Sequence, residues 1–152
     1  MAEPNVNLKR LIHEVLAKGY LMSLATQDAG GVWVADVIYV FDDDLTLYWM
    51  SDPAVRHSQA LLANPQMAGT ITVSGPGENN LGIQFEGVGK KLSGPRHDLI
   101  IKHFAKRGKP APAENDDVLD GDRWYQFKPM RIELIAEQQF GFSKQSFQVV
   151  SL

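Results

Sequence analysis

At 152 residues, with 44% hydrophobic and 22% charged side chains, the sequence has the length and composition of one compact domain spanning 1–152, not of a disordered or low-complexity polypeptide. A formal charge of −3 argues against nucleic acid as a partner, and the absence of cysteine excludes disulfides, thiolate metal sites and thiol nucleophiles. No apolar run approaches the ~20 residues that span a bilayer, and Lys9, Arg10, His13 and Glu14 break up any signal-like core, so a cytoplasmic chain without a membrane partner is expected.

Leu8, Leu11, Ile12, Val15 and Leu16 recur at helical spacing before Gly19, which predicts an amphipathic helix packed on a sheet. After Gly19 the period changes. Tyr20 to Thr26 reads as a strand, Asp28 to Gly31 as a turn, Val32 to Phe41 as a second strand and Leu45 to Ser51 as a third, together an antiparallel meander. Asp52-Pro53 has the form of a helix start, an acceptor followed by proline, with the helix running to Ala63 before Asn64-Pro65. Met67 to Val73 and Gly82 to Leu92 are further strands; Gly87 and Gly89 within the latter point to a bulge or a close backbone approach. Asp98 to Lys106 reads as a short basic helix and Gly108 to Asp122 as a loop. Trp124 to Phe127 and Arg131 to Glu137 read as the last strands, split by Pro129. Six or seven short strands with few helices predict a mainly β fold, a barrel or a sandwich, since a parallel sheet needs a helix between most strands.

The segment Tyr48 to Ser58 is the richest in chemistry. It delivers Ser51 to a helix N-terminus with Arg56 and His57 beside it, and free helix N–H groups with a hydroxyl, a guanidinium and an imidazole suit a monophosphate. A capped helix carrying two solvated cations fits the same residues. On the second strand Asp36 shares a face with Val32, Val34, Ile38 and Val40; it either meets the polar edge of a ligand or is turned to water. Trp33, Val37 and Tyr39 on the other face suit core or dimer contacts. Lys102, Lys106, Arg107 and Lys109 form either a solvated basic face or an entrance for an anion. Gly87-Val-Gly-Lys-Lys91 lacks the leading glycine and the hydroxyl residue of a phosphate loop. The histidines at 13, 57, 97 and 103 have no metal-ligand spacing, so no metal site is expected. No nucleophile elbow surrounds Ser51 or Ser58.

In order and spacing, six segments resemble the pyridoxamine-5'-phosphate-oxidase-like FMN-binding split-barrel family: Leu24-Ala25-Thr26, Gly31 to Val40, Leu45 to Ser51, Val55-Arg56-His57 with Leu61, Asn64 and Pro65, Ile83 to Gly87, and Phe140 to Lys144. Arg56-His57 and Gly141-Phe142-Ser143-Lys144 look most like a bacterial branch of it, and the resemblance runs from Tyr20 to Lys144. It implies a six- to seven-stranded antiparallel split β-barrel and a homodimer with FMN at the two-fold interface. Val34, Ala35, Asp36 and Val37 would border the isoalloxazine edge, largely through backbone groups. Trp49, Met50 and Ser51 would flank the ring or ribityl chain, and Arg56 and His57 would hold the phosphate. Gln84 would reach the flavin across the interface, with Phe142 and Lys144 closing over it. Two positions depart from the family pattern. His57 stands where a lysine is usual, and Asp36 where many relatives carry arginine or another polar residue. The tail Gly141 to Phe147 lacks the arginine-x-histidine element of the true oxidases, so pyridoxamine phosphate is not the implied substrate. The implied function is that of an FMN-dependent oxidoreductase acting on a small molecule. The alternatives are a non-catalytic flavin carrier, a haem-binding split-barrel module, or a ligand-free interaction barrel.

Overall fold

The computed structural model describes residues 4–149. In chain order it contains α1 (Pro4–Lys18), β1 (Leu21–Asp28), β2 (Gly31–Ile38), β3 (Val40–Phe41), β4 (Leu47–Ser51), α2 (Arg56–Ala63), β5 (Gln66–Thr72), β6 (Leu81–Lys91), α3 (His97–Lys106), β7 (Arg123–Ala136), α4 (Glu137–Phe140) and β8 (Gln145–Gln148). The strands form one antiparallel sheet in the order β2-β1-β5-β6-β7-β4-β3, with β8 added on β7. The protein is thus mainly β, as the strand pattern predicts.

Closure of the barrel follows from one local break. The predicted strand from Val32 to Phe41 is two strands: β2 pairs with β1 and β3 pairs with β4, at opposite ends of the sheet, with Tyr39 alone between them. The two sheet edges are therefore joined by a single residue, and the sheet must curl on itself. Tyr39 anchors the corner; its side chain is fully buried and its hydroxyl donates to the Leu16 carbonyl at 2.7 Å. The expected meander is corrected accordingly, because its two hairpins sit at opposite edges of the sheet.

The predicted face of α1 is the one that packs. Leu8, Leu11, Ile12, Val15 and Leu16 enter the main core beside Met22, Leu24, Ile71, Ile83 and Leu134. A second, smaller cluster of Val40, Tyr48, Leu99, Ile100 and Trp124 seats α3 on the other side of β4 and β7. No helix among the described residues is long and apolar enough to cross a membrane.

The last two predicted strands are one. β7 runs unbroken through Pro129, because the ladder with β6 shifts register at Glu86/Gly87, opposite that proline. The bulge removes the need for the N–H that proline lacks. Gly87 makes the close approach possible: a Cβ there would collide with the Lys128 carbonyl. The second helix also begins later than Asp52-Pro53 suggests. Asp52 instead accepts from the Ala54 N–H at 2.8 Å in a turn, and α2 opens at Arg56 after Val55. A carboxylate closing its own turn is an alternative to a helix N-cap, and here the turn prevails.

Candidate functional site

The late start of α2 places Arg56 and His57 at its first two positions, where backbone N–H groups have no partner one turn back. Ser51, the last residue of β4, meets the second of them: its Oγ lies 2.9 Å from His57 Nε2. Burial lowers the His57 imidazole below its ordinary value, so at neutral pH it offers hydrogen bonds and not a charge. The fixed positive charge at this corner belongs to Arg56.

Two residues that sequence reasoning did not place here complete the corner. Asp28, at the end of β1, accepts from Arg56 Nε and Nη2 at 3.4 Å each. The Trp33 ring lies under the guanidinium, 4.7 Å from centroid to Cζ. The Gly30 N–H donates to Asp28 Oδ1 at 2.8 Å; that contact first, and the arginine second, hold the carboxyl below the usual carboxylate range. Gly31 has a φ of 115°, a conformation L side chains rarely adopt, and so permits the tight turn from β1 into β2. No sequence signal links Asp28 or Trp33 to Arg56; they are 28 and 23 positions away and meet only through the β1–β2 hairpin.

Beside this corner runs the free side of β2. That strand ends the sheet path, so its outward backbone groups pair with no other strand among the described residues, although it approaches β4. Val34, Ala35, Asp36 and Val37 lie along this edge. Their side chains divide: Val37 belongs to the core, Ala35 is half-buried, and Val34 and Asp36 are exposed on the outer face. Asp36 accepts from the Ser23 hydroxyl across the ladder, so its carboxylate is turned to the outer face and not into the core.

Several predicted residues lie elsewhere. Trp49 is fully buried and stacks on Tyr125, with centroids 5.7 Å apart. Strand alternation made the exposed-or-buried choice at this position a tertiary matter. Met50 packs against the second core cluster. Gln84 and Lys144 meet each other, Nζ donating to Oε1 at 3.0 Å, and Phe142 is 85% exposed nearby in sequence. In register Gln84 lies in the row Asp36-Ser23-Thr70-Gln84, three strands and about 14 Å from Asp36. Within one chain the site is therefore two separate groups, Ser51-Arg56-His57 and Gln84-Lys144.

The outer face between those groups is concave. An open hollow of about 580 Å³ is lined by Ala25, Ala68, Val32, Val88, Met130 and Arg131 among others. Val32, Val34 and Met130 are 68%, 60% and 59% exposed, an apolar stripe on an otherwise polar sheet face. None of the histidines lines this hollow: His57 is held by Ser51, His13 contacts the Asp43 carbonyl, and His103 is buried under Trp124. In the basic cluster Lys102 is engaged by Phe41 and Asp42 and Lys106 by the Tyr39 carbonyl, so both serve the fold.

These groups suit a phosphate ester at the Arg56 corner. Unpaired helix N–H groups, a guanidinium and the Ser51 hydroxyl converge there. Two buried hydroxyls near it, Thr26 Oγ1 opposite Trp33 and Ser58 Oγ in the first turn of α2, have no partner.

No family model matches the chain. Among solved structures, it is similar to a haem-binding protein from Mycobacterium smegmatis at 15% identity and a TM-score of 0.71, covering 97% of this chain and 60% of that one. It is also similar to a Listeria innocua protein of the pyridoxamine 5'-phosphate oxidase kind, at 15% identity and a TM-score of 0.68, covering 84% and 98%. At such identities the likeness shows the fold, a split β-barrel, as the resemblance implied. Among curated proteins, a UPF0306 protein of Photorhabdus laumondii is 32% identical over 100 residues, which cover 64% of this chain and 70% of that protein. At that identity, over that share of its relative, the chain belongs to the UPF0306 family.

Proposed function

We propose that this protein binds FMN, as a cytoplasmic homodimer, and serves as an FMN-dependent oxidoreductase for a small molecule. The observation that carries the reading is the meeting of Ser51, Arg56 and His57 at the first turn of α2, beside the unpaired edge of β2. Arg56 and the α2 N–H groups would hold the phosphate, with Ser51 donating a hydrogen bond and neutral His57 orienting that hydroxyl. The free N–H and C=O groups of Val34 to Val37 would meet the polar edge of the isoalloxazine. When bound, the flavin supplies the hydride and electron chemistry, which accords with the lack of an acid–base pair among the site residues.

A second copy supplies what one chain lacks. In its own chain Gln84, with Lys144 bonded to it, lies three strands across the sheet from Asp36 on the free edge of β2. The apolar stripe of Val32, Val34, Val88 and Met130 on the face between them suits a self-complementary contact. Such a contact would seat the partner's Gln84 over the flavin.

Absorbance of the freshly purified protein tests the cofactor. A flavin spectrum, lost in Arg56→Ala while the circular dichroism is unchanged, is the expected result. Flavin affinity unaltered in Arg56→Ala would refute the phosphate assignment. A Soret band would favour the haem-binding alternative, for which the Mycobacterium smegmatis structure is the precedent. Bleaching of the yellow protein by NADH or NADPH would separate an enzyme from a flavin carrier.

A further inference from the structure

Arg56 begins α2 as a long, partly exposed side chain, yet one group from β1 and one from β2 fix it. Asp28 takes the edge formed by Nε and Nη2. Trp33 takes one face of the guanidinium plane. Asp28 is itself oriented, since its Oδ1 accepts the Gly30 N–H at 2.8 Å, and Gly30 leaves room for the encounter: a Cβ there would lie 3.2 Å from Asp28 Oδ1 and 3.5 Å from Arg56 Nη2. A guanidinium has five N–H donors in a planar fork. With the Nε edge and one face engaged, the Nη1–Nη2 edge is left, and that edge can meet two oxygens of a phosphate side by side.

We propose that Asp28 and Trp33 are positioning residues that hold Arg56 with its Nη1–Nη2 edge open to the phosphate of the flavin. Selectivity for FMN over riboflavin is then set by two side chains of the β1–β2 hairpin that act on the phosphate only through Arg56. This rests on the flavin reading above. The pairing also makes the corner nearly neutral overall, so the phosphate is recognised through donor geometry more than through net charge. The Asp28 carboxylate occupies the side edge of the fork at 3.4 Å, longer than a strong charge-assisted contact, as a tether that a bound phosphate need not displace.

The test measures FMN and riboflavin dissociation constants by quenching of flavin fluorescence, in the unaltered protein and in Asp28→Asn, Trp33→Leu and Trp33→Phe. Asp28→Asn and Trp33→Leu are expected to weaken FMN about tenfold and to leave riboflavin within about twofold, while Trp33→Phe, which keeps an aromatic face, retains most FMN affinity. Thermal melting establishes that each variant folds. Tighter FMN binding in Asp28→Asn would overturn the proposal, because the carboxylate would then be a competitor of the phosphate. Equal losses for FMN and riboflavin would overturn it too, as would FMN affinity unchanged in both Asp28→Asn and Trp33→Leu. An unaltered protein that binds neither flavin would overturn the flavin reading itself, and this assignment with it.

Discussion

His103 shows how one buried side chain links packing to pH. It sits on α3 at 5% exposure, edge-on to Trp124 with ring centroids 6.0 Å apart, and its Nδ1 has no hydrogen-bond partner. Burial first, then the charges of Arg107 and Lys106, push it down to about 4. The folded protein therefore keeps His103 neutral while the unfolded chain takes up a proton from about pH 6.5 downward. Stability is lost as pH falls across that window. The loss is expected to be on the order of 1–2 kcal/mol once solvent screening is allowed for. Urea midpoints at pH 7.5 and pH 4.5 should differ more in the unaltered protein than in His103→Leu, where the remaining difference includes the buried His57. Asp28 and Asp98, both held below the usual carboxylate range, lose their contributions only at lower pH. At the same scale, Arg56 and His57 were legible as a candidate phosphate-binding pair because they are adjacent in sequence and near Ser51. Asp28 and Trp33 were not, because their only route to Arg56 is through space.

Among elements, the pairing of β6 with β7 carries the clearest local logic. Two glycines in an otherwise strong strand predicted a bulge or close approach, and the register shift at Glu86/Gly87 is that bulge. Pro129 read as a break because proline cannot donate to a ladder. The bulge, with Met130 of β7 as the unpaired residue beside Pro129, absorbs the missing donor, and β7 continues. Gly87→Ala should therefore destabilise by about 2–4 kcal/mol, since its Cβ would strike backbone at Lys128 and not a side chain that can move aside. Urea denaturation of that variant measures it; a loss below about 0.5 kcal/mol, typical of a surface position, would show that the two strands can separate there at little cost. α2 teaches the opposite lesson. Asp52-Pro53 has the composition of a helix start, but Asp52 closes a turn with Ala54, and the helix waits until Arg56. That delay of three residues moves Arg56 and His57 from within the helix to its unpaired end.

At the scale of the molecule, the outer sheet face decides whether one chain or two make the site. Substituting two residues of its apolar stripe with like charges, Val34→Glu with Met130→Glu, should leave the core intact, because both side chains point away from it. In light scattering the unaltered protein is expected at twice its 16.9 kDa chain mass and the double variant at once that mass. An unaltered protein that runs as a monomer would remove the face from the interface and Gln84 from the flavin.

What the sequence by itself determined is the material that depends on neighbours along the chain. The alternation of side chains predicted the strands, the 3.6-residue period predicted α1 and its buried face, and the segment from Ser51 to His57 marked the phosphate-binding candidate. The resemblance added the barrel that those strands build. Only the tertiary structure decided how the barrel closes, since whether the chain breaks at Tyr39 depends on the Leu16 carbonyl 23 positions earlier. It alone decided that Trp49 is core and Asp36 is surface, because a strand's period of two says which residues share a face and not which face is inside. And it alone brought Asp28 and Trp33 to Arg56, a contact made by folding one hairpin over the end of one helix.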